Sequence, residues 1–117
     1  MNPFIDEAIR QCHLCVQACE SCTVACLREA GAARMVPCIR VSLDCASICG
    51  TLAGLLARDS RFAADATALC ISVCQECADI CSLYEHEHCQ ICANDCRQCV
   101  AACQAIAADE QPSSQQR

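Results

Sequence analysis

Cysteine recurs along this chain at alternating intervals of three and four residues, and no other feature constrains the fold as strongly. One such run is HCQICANDCRQCVAAC, residues 88–103, with cysteines at 89, 92, 96, 99 and 103. Residues three and four apart share one face of an α-helix. Leucine and isoleucine normally occupy these a and d positions on the core-facing stripe of a bundled helix. The run therefore predicts a helix that turns thiols, in place of leucines, toward a core.

Four helices are predicted from the breaks between the cysteine runs. Asn2 and Pro3 suit a helix start, Gly31 suits a helix end, and Asp59-Ser60 offers a further cap. The predicted helices span about residues 3–30, 37–58, 61–84 and 87–108, and the polar tail 109–117 is predicted to be disordered. Residues 1–108 then form one domain, an all-α, antiparallel up-and-down four-helix bundle with a cysteine-lined core.

The heptad positions predict where the thiols lie in this bundle. All seventeen cysteines fall on a or d positions of their helices, so the thiols face the interior. Antiparallel threading brings the cysteines beside the first and third connections to one end, near His86 and His88. Leu52, Leu56 and Ile106 continue the same stripes at the other end. We therefore expect a column of thiols that is closed at one end by aliphatic packing and open at the other, the mouth.

Composition and charge exclude several classes of function. A net charge of −6 and a pI near 4.8 argue against nucleic acid as a partner, because nucleic-acid binding requires a basic surface. The N-terminal sequence lacks the apolar segment of a signal peptide, and no apolar run approaches the ~20 residues of a membrane span. We therefore expect a soluble cytoplasmic protein with no membrane partner. In that compartment cysteines are more often metal ligands or catalytic groups than disulfides.

The thiol stripes suit the coordination chemistry of Cu(I). Thiolates at i and i+4 on a helix are neighbours, and Cu(I) is a soft ion that binds thiolates at low coordination number. Buried thiols must be neutral in the metal-free protein, and one Cu(I) in place of each proton keeps the core near neutral, whereas divalent zinc does not. The sequence predicts cytosolic storage and buffering of many Cu(I) ions, roughly one per cysteine, and no enzymatic activity.

The predicted metal ligands are the core-facing cysteines, and the two histidines at the mouth, His88 and His86, are either further ligands or solvated loop residues. The cysteines are Cys12, Cys15, Cys19, Cys22, Cys26, Cys38, Cys45, Cys49, Cys70, Cys74, Cys77, Cys81, Cys89, Cys92, Cys96, Cys99 and Cys103. His13 falls on an outward-facing position and is predicted to be a surface residue, while Met35 is predicted to fill a gap in the core. Ser42 stands in an a position where a thiol would continue the ladder, and its role stays open.

Three other functions also use many cysteines. Zinc or cadmium sequestration of the metallothionein type would use the same thiols, although zinc prefers closed sets of four ligands. An iron–sulfur electron-transfer protein would hold its cluster with a run such as C-x2-C-x2-C-x3-C-P, which this sequence lacks. A thiol redox enzyme would place a C-x2-C pair near a βαβ unit, and this chain carries its C-x2-C pairs on helices.

The cysteine-lined helices, and above all HCQICANDCRQCVAAC with the preceding histidine–glutamate pair, resemble the four-helix-bundle copper storage proteins of bacteria, over about residues 8–108. The resemblance implies a homotetramer of bundles that each bind many Cu(I) ions, with His86 and His88 at the open mouth assisting metal entry. The expected partners are copper ions, with a copper chaperone or chelator as donor or acceptor. The absence of a signal peptide resembles the cytosolic branch of the family. Apolar residues on outward positions agree with burial between bundles: Leu14, Leu43, Leu83 and Ile91.

Overall fold

The structure is a computed structural model that describes the backbone of residues 2–115 and the side chains of residues 2–109. Its helices are α1 (Pro3–Leu27), α2 (Val36–Ala57), α3 (Ala63–Cys81) and α4 (Glu87–Gln115), with a short 3₁₀ turn, Ala32–Met35, before α2. Each helix packs against the next one in the chain, and α4 packs against α1, which closes the bundle. Short connections make sequential neighbours antiparallel, so the predicted up-and-down four-helix bundle is confirmed.

Local chemistry explains the start of the first helix and the turn that follows it. The Asn2 side chain accepts hydrogen bonds from the backbone N–H groups of Phe4 and Ile5, at 2.9 and 3.4 Å. Pro3 opens the first turn, where its missing N–H has no helical partner to lose. After α1, Gly31 adopts a left-handed backbone conformation, with φ of 74°, and the chain reverses toward α2. A residue without Cβ enters that conformation without steric cost.

Three helices end differently from the predicted ranges. α1 ends at Leu27 and not near residue 30, because the chain tightens into a turn in which the Arg28 N–H bonds to the Ala25 carbonyl at 3.1 Å. α3 ends at Cys81 and not near residue 84, because the chain tightens into a turn in which the Tyr84 N–H bonds to the Cys81 carbonyl at 3.1 Å. α4 is helical as far as Gln115, and so enters the segment 109–117 that the sequence predicts to be disordered. A helix that has already formed adds residues without a new nucleation cost. Gln116 and Arg117 lie outside the described residues.

Thiols fill most of the core, and aliphatic side chains close one end of it. All seventeen cysteines are buried and free, which confirms the cysteine-lined core. Leu52 is fully buried, and Leu56 and Ile106 line the closed end together with Ile5 and Ala63. Burying a leucine or isoleucine side chain contributes about 1.5–3 kcal/mol. The aliphatic end therefore supplies hydrophobic stabilisation at the point where the thiol column stops.

The second helix is apolar enough to resemble a membrane span, which corrects the expectation that no run in the sequence approaches that length. Residues Ala32–Ala57 have a mean hydropathy of 1.4 over their most apolar 18-residue window. In the bundle, Cys38, Cys45, Cys49 and Leu52 of this segment are fully buried. Helices in the core of a folded bundle reach the same length and mean hydropathy, so these two values alone are weak evidence for a membrane span.

Candidate metal centre

At the open end of the bundle, the imidazole of His88 faces three thiols. His88 Nδ1 lies 3.5 Å from Cys22 Sγ, 3.5 Å from Cys89 Sγ and 3.8 Å from Cys26 Sγ. The sulfur atom of Cys38 joins these three in a set in which all sulfur atoms lie within 4.8 Å of one another. One nitrogen and several sulfur atoms therefore surround a common point at the mouth.

Glu29, in the turn that follows α1, orients His88. Glu29 Oε2 lies 2.8 Å from His88 Nε2, and the two side chains are 31% and 22% exposed. A carboxylate only accepts hydrogen bonds, so in the neutral imidazole Nε2 carries the proton and Nδ1 keeps its lone pair toward the thiols. The sequence pattern gave no sign that Glu29 contacts a histidine. Its position three residues after Cys26, at the mouth end of the first helix, could have indicated that it lies near the histidines.

His86 lies further from the thiols than His88 does. The centroids of the two imidazole rings are 5.4 Å apart, and His86 Nε2 lies 3.5 Å from Glu29 Oε1. Nδ1 of His86 is buried and has no hydrogen-bond partner among the side chains that the structure describes. Met35 is buried and lines a cavity beside His86, whereas His13 is exposed on α1. At the mouth, both histidines therefore contact the Glu29 carboxylate, and His88 is the histidine nearer to the thiols.

Sulfur–sulfur contacts of 4.0 Å or less connect most thiols into two clusters. The mouth cluster contains Cys22, Cys26, Cys38, Cys77, Cys81 and Cys89. The inner cluster contains Cys15, Cys19, Cys45, Cys49, Cys70, Cys74, Cys92 and Cys96. Nearer the closed end, Cys12 and Cys99 form a pair at 3.9 Å, and Cys103 interacts with both.

The spacing of the sulfur atoms suits shared metal ions. Contacts range from 3.0 Å between Cys38 and Cys81 to 4.0 Å between Cys19 and Cys96. With a metal–sulfur bond of about 2.3 Å, the sulfur atoms around a three-coordinate ion lie about 4.0 Å apart. Sets of four sulfur atoms within 4.8 Å overlap, and Cys49, for example, belongs to two of them. A thiolate that belongs to two sets is placed to bridge two ions.

Burial favours the protonated form of the metal-free thiols, whereas contacts between thiols raise the pKa of some of them and lower that of others, such as Cys15, whose pKa the contact with Cys19 lowers to about 7. Burial, and next the charge on Cys26, raise the pKa of the Cys89 thiol to about 12. Contacts with the thiols of Cys12, Cys70 and Cys99, together with burial, raise the pKa of Cys103. Ionised thiolates crowded in a buried core would be strongly unfavourable without cations. Each of these thiols must therefore release its proton when a metal ion binds.

The sequence and the bundle are both similar to those of known proteins. Residues 2–108 match the protein family described as Csp, copper storage protein. The uncharacterized cysteine-rich protein YhjQ of Bacillus subtilis (strain 168) is 34% identical over 108 residues, which are 92% of this chain and 100% of that protein. The Cu(I)-bound copper storage protein BsCsp3 is 34% identical, with a TM-score of 0.85 over 89% of this chain and 98% of that one. A cytosolic copper storage protein from Streptomyces lividans, with five coppers, is 37% identical, with a TM-score of 0.87 over 90% of this chain and 92% of that one.

Proposed function

Because the chain belongs to the copper storage protein family, we propose that its seventeen core thiols bind and store Cu(I) ions. The observation that carries the proposal is the column of buried free thiols, in which neighbouring sets of four sulfur atoms share members. Shared thiolates bridge ions, so the capacity follows the number of cysteines and is on the order of one Cu(I) per cysteine. Storage is a non-catalytic role, and we assign the protein no enzymatic activity.

The proposed ligands are all seventeen cysteines, with His88 and His86 at the entrance. The contacts of His88 Nδ1 with the thiols of Cys22, Cys26 and Cys89 support a role in receiving the ion. Nδ1 of His86 has no hydrogen-bond partner within the described residues 2–109, and His86 lies further from the thiols, which supports a more external role in the same path. A copper chaperone or chelator delivers Cu(I) to this end and removes it there. Each cysteine thiol releases one proton as its sulfur–copper bond forms.

Anaerobic titration of the reduced protein with Cu(I), against a competing chromogenic Cu(I) chelator, tests the storage function. We expect saturation on the order of one Cu(I) per cysteine, with proton release that follows the copper bound. The matched control is the same protein with its thiols alkylated in denaturant, which should bind almost no Cu(I). Saturation of the reduced protein at only about one to four ions would contradict the storage of many ions.

Zinc or cadmium sequestration is a second candidate, because sets of four sulfur atoms within 4.8 Å suit a tetrahedral ion. Closed sets use four thiols each, so seventeen cysteines supply at most about four separate zinc sites. We expect Cu(I) to displace bound zinc and to reach a higher ion-to-protein ratio than zinc does. Zinc that resists displacement by excess Cu(I) would favour this second function.

We assign the protein to the cytoplasm and propose that it is a homotetramer. The relative from Streptomyces lividans is a cytosolic protein, and a reducing compartment keeps thiols free for metal. Large apolar side chains on the outer surface support burial between copies: Leu14 is 38%, Leu43 49%, Ile91 51% and Leu83 80% exposed. Light scattering coupled to size exclusion should give the mass of about four chains. A monomeric mass would refute the tetramer and leave the copper assignment unaffected.

A further inference from the structure

The core-facing stripe of α2 carries a hydroxyl at Ser42 between thiols at Cys38 and Cys45. Ser42 is fully buried, and its Oγ lies 3.7 Å from Cys81 Sγ. The same oxygen lies 3.9 Å from the sulfur atoms of Cys77 and Cys92. Serine and cysteine have similar shapes, so a cysteine would also fit at this position. At Ser42 a hydroxyl takes the place of a thiol in the column, while the side chain is buried like those of the cysteines beside it.

Ser42 lies at the border between the mouth cluster and the inner cluster. Two of its sulfur neighbours, Cys77 and Cys81, belong to the mouth cluster, and the third, Cys92, belongs to the inner cluster. Each of these three thiols contacts only thiols of its own cluster at 4.0 Å or less, among the described side chains: Cys77 contacts Cys81, Cys81 also contacts Cys38, and Cys92 contacts Cys19. Within 4.8 Å, Cys77 of the mouth cluster forms a set of four sulfur atoms with Cys19, Cys92 and Cys96 of the inner cluster, so Cys77 is a thiol through which the two clusters connect.

A hydroxyl at this border does not bridge Cu(I) ions as a thiolate would. Cu(I) prefers soft sulfur ligands, and a serine hydroxyl keeps its proton at neutral pH. The Ser42 hydroxyl is instead placed to donate a hydrogen bond to a neighbouring sulfur atom. A thiolate at the same position would lie within reach of both clusters and would connect their ions. Fewer thiolates therefore connect the ions on the two sides of Ser42.

We propose that Ser42 divides the copper store into two compartments, an outer one in the mouth cluster and an inner one beyond it. This inference rests on the proposed storage function, and it adds the order in which the two compartments exchange Cu(I). The mouth cluster, beside His88, receives and releases Cu(I) first. The inner compartment exchanges more slowly, because each ion must cross the border with few bridging thiolates. In each transfer one sulfur–copper bond forms as another breaks, and copper remains Cu(I).

Chelator-driven release of Cu(I) tests this division in the fully loaded protein without oxygen. The wild-type protein should release copper in two phases, and the faster phase should account for about one third of the copper, the share of the mouth cluster among the thiols. S42C should bind about one more Cu(I) per chain, and its two phases should merge because a thiolate now connects the clusters. S42A is the matched control: it adds no thiol, so it should keep the wild-type capacity and both phases.

Release in a single phase by the wild-type protein, or two unchanged phases in S42C, would overturn the proposal. Merging of the phases in S42A would overturn it as well, since no bridging ligand has been added. Circular dichroism checks that each variant is helical before loading, and the wild-type amplitudes decide the question if S42C does not fold. A low copper capacity in the wild-type protein is a separate result, which contradicts storage itself.

Discussion

At the scale of single residues, the Glu29 carboxylate is placed to influence the proposed entry of metal through its hydrogen bond with His88. It accepts the Nε2 proton of His88 at 2.8 Å and so leaves Nδ1 facing the thiols of Cys22 and Cys89. Such partners of metal-binding histidines fix the tautomer and the ring orientation, and their loss typically costs about 10–100-fold in affinity or activity. The pairing of Glu29 with His88 is therefore part of the proposed entry site.

Replacing Glu29 by alanine is expected to slow the uptake of the first Cu(I) equivalents about tenfold or more, because Nδ1 loses its fixed orientation. E29Q should recover part of the rate, since its amide oxygen still accepts a hydrogen bond from Nε2. Stopped-flow absorbance of the copper–thiolate bands measures the rates, and ¹⁵N chemical shifts of His88 report the tautomer. Equal rates and an unchanged tautomer in E29A would contradict the role of Glu29.

The two histidines are expected to differ in importance. H88A removes the nitrogen that contacts three thiols and should slow early copper uptake strongly, whereas H86A should have a smaller effect because His86 stands further from the sulfur atoms. The total capacity should change little in either variant, because sulfur supplies most ligands. H13A, at an exposed position on α1, is the control that should match the wild-type rate. A larger effect of H86A than of H88A would reverse the proposed order of entry.

At the scale of secondary-structure elements, each helix combines a part that carries the buried thiols with a part that carries aliphatic or alanine side chains toward the closed end. On α2 the core-facing stripe changes from cysteine to leucine after Cys49, and Leu52 is fully buried at that change. Cysteine is a small side chain with a weakly polar thiol, so the thiol column contributes less hydrophobic stabilisation than leucines would. The aliphatic end of each helix is therefore expected to hold the metal-free bundle together.

Truncating Leu52 to alanine is expected to destabilise the metal-free protein by about 2–5 kcal/mol, because a cavity opens in a fully buried site. The copper capacity should be unchanged, since every thiol remains. Leu69→Ala on α3, where the side chain is 53% exposed, is the matched control and should stay within about 0.5 kcal/mol of the wild-type stability. Urea unfolding followed by circular dichroism gives both values. A similar loss in the two variants would argue against the structural role of the aliphatic end.

At the scale of the whole molecule, the protonation of the thiols connects stability to pH. Burial, and next the charge on Cys26, raise the pKa of the Cys89 thiol from 9.0 to about 12. Between these two values the folded protein keeps a proton that the unfolded chain has released. The stability contributed by this group is therefore complete below about pH 9 and is lost as the pH rises toward 12. Other buried thiols with a raised pKa, such as Cys103, act in the same direction. Cys15, whose pKa the contact with Cys19 lowers to about 7, has already lost its proton in the folded protein above pH 9 and adds no loss of stability there.

Thermal melting of the metal-free, reduced protein is thus expected to shift to lower temperature as the pH rises from about 8 to about 10.5. The copper-loaded protein is the control, because its thiolates have already lost their protons and its melting temperature should depend much less on pH. Differential scanning calorimetry in oxygen-free buffer measures both forms. A metal-free protein whose melting temperature does not fall over this range would contradict the protonated core.

The heptad register predicted the inward direction of every thiol, from Cys12 on α1 to Cys103 on α4. It also predicted the end of the bundle at which His88 lies. It did not predict the contact of Glu29 with His88, since that contact joins a turn after α1 to the start of α4. The register likewise marked Ser42 as an exception without showing which thiols surround it. Both features depend on residues that are distant in sequence.

The amino-acid sequence by itself determined the helices, the bundle and the column of thiols. The period of the cysteines sets the direction in which each side chain leaves its helix, and this depends only on local geometry. The tertiary structure decided which sulfur atoms are neighbours, how Glu29 orients His88, and where Ser42 separates the mouth cluster from the inner cluster. Those distances depend on the rotation and the axial offset of each helix relative to its neighbours. Both are set by the packing of all the side chains together, so no single segment of the sequence encodes them.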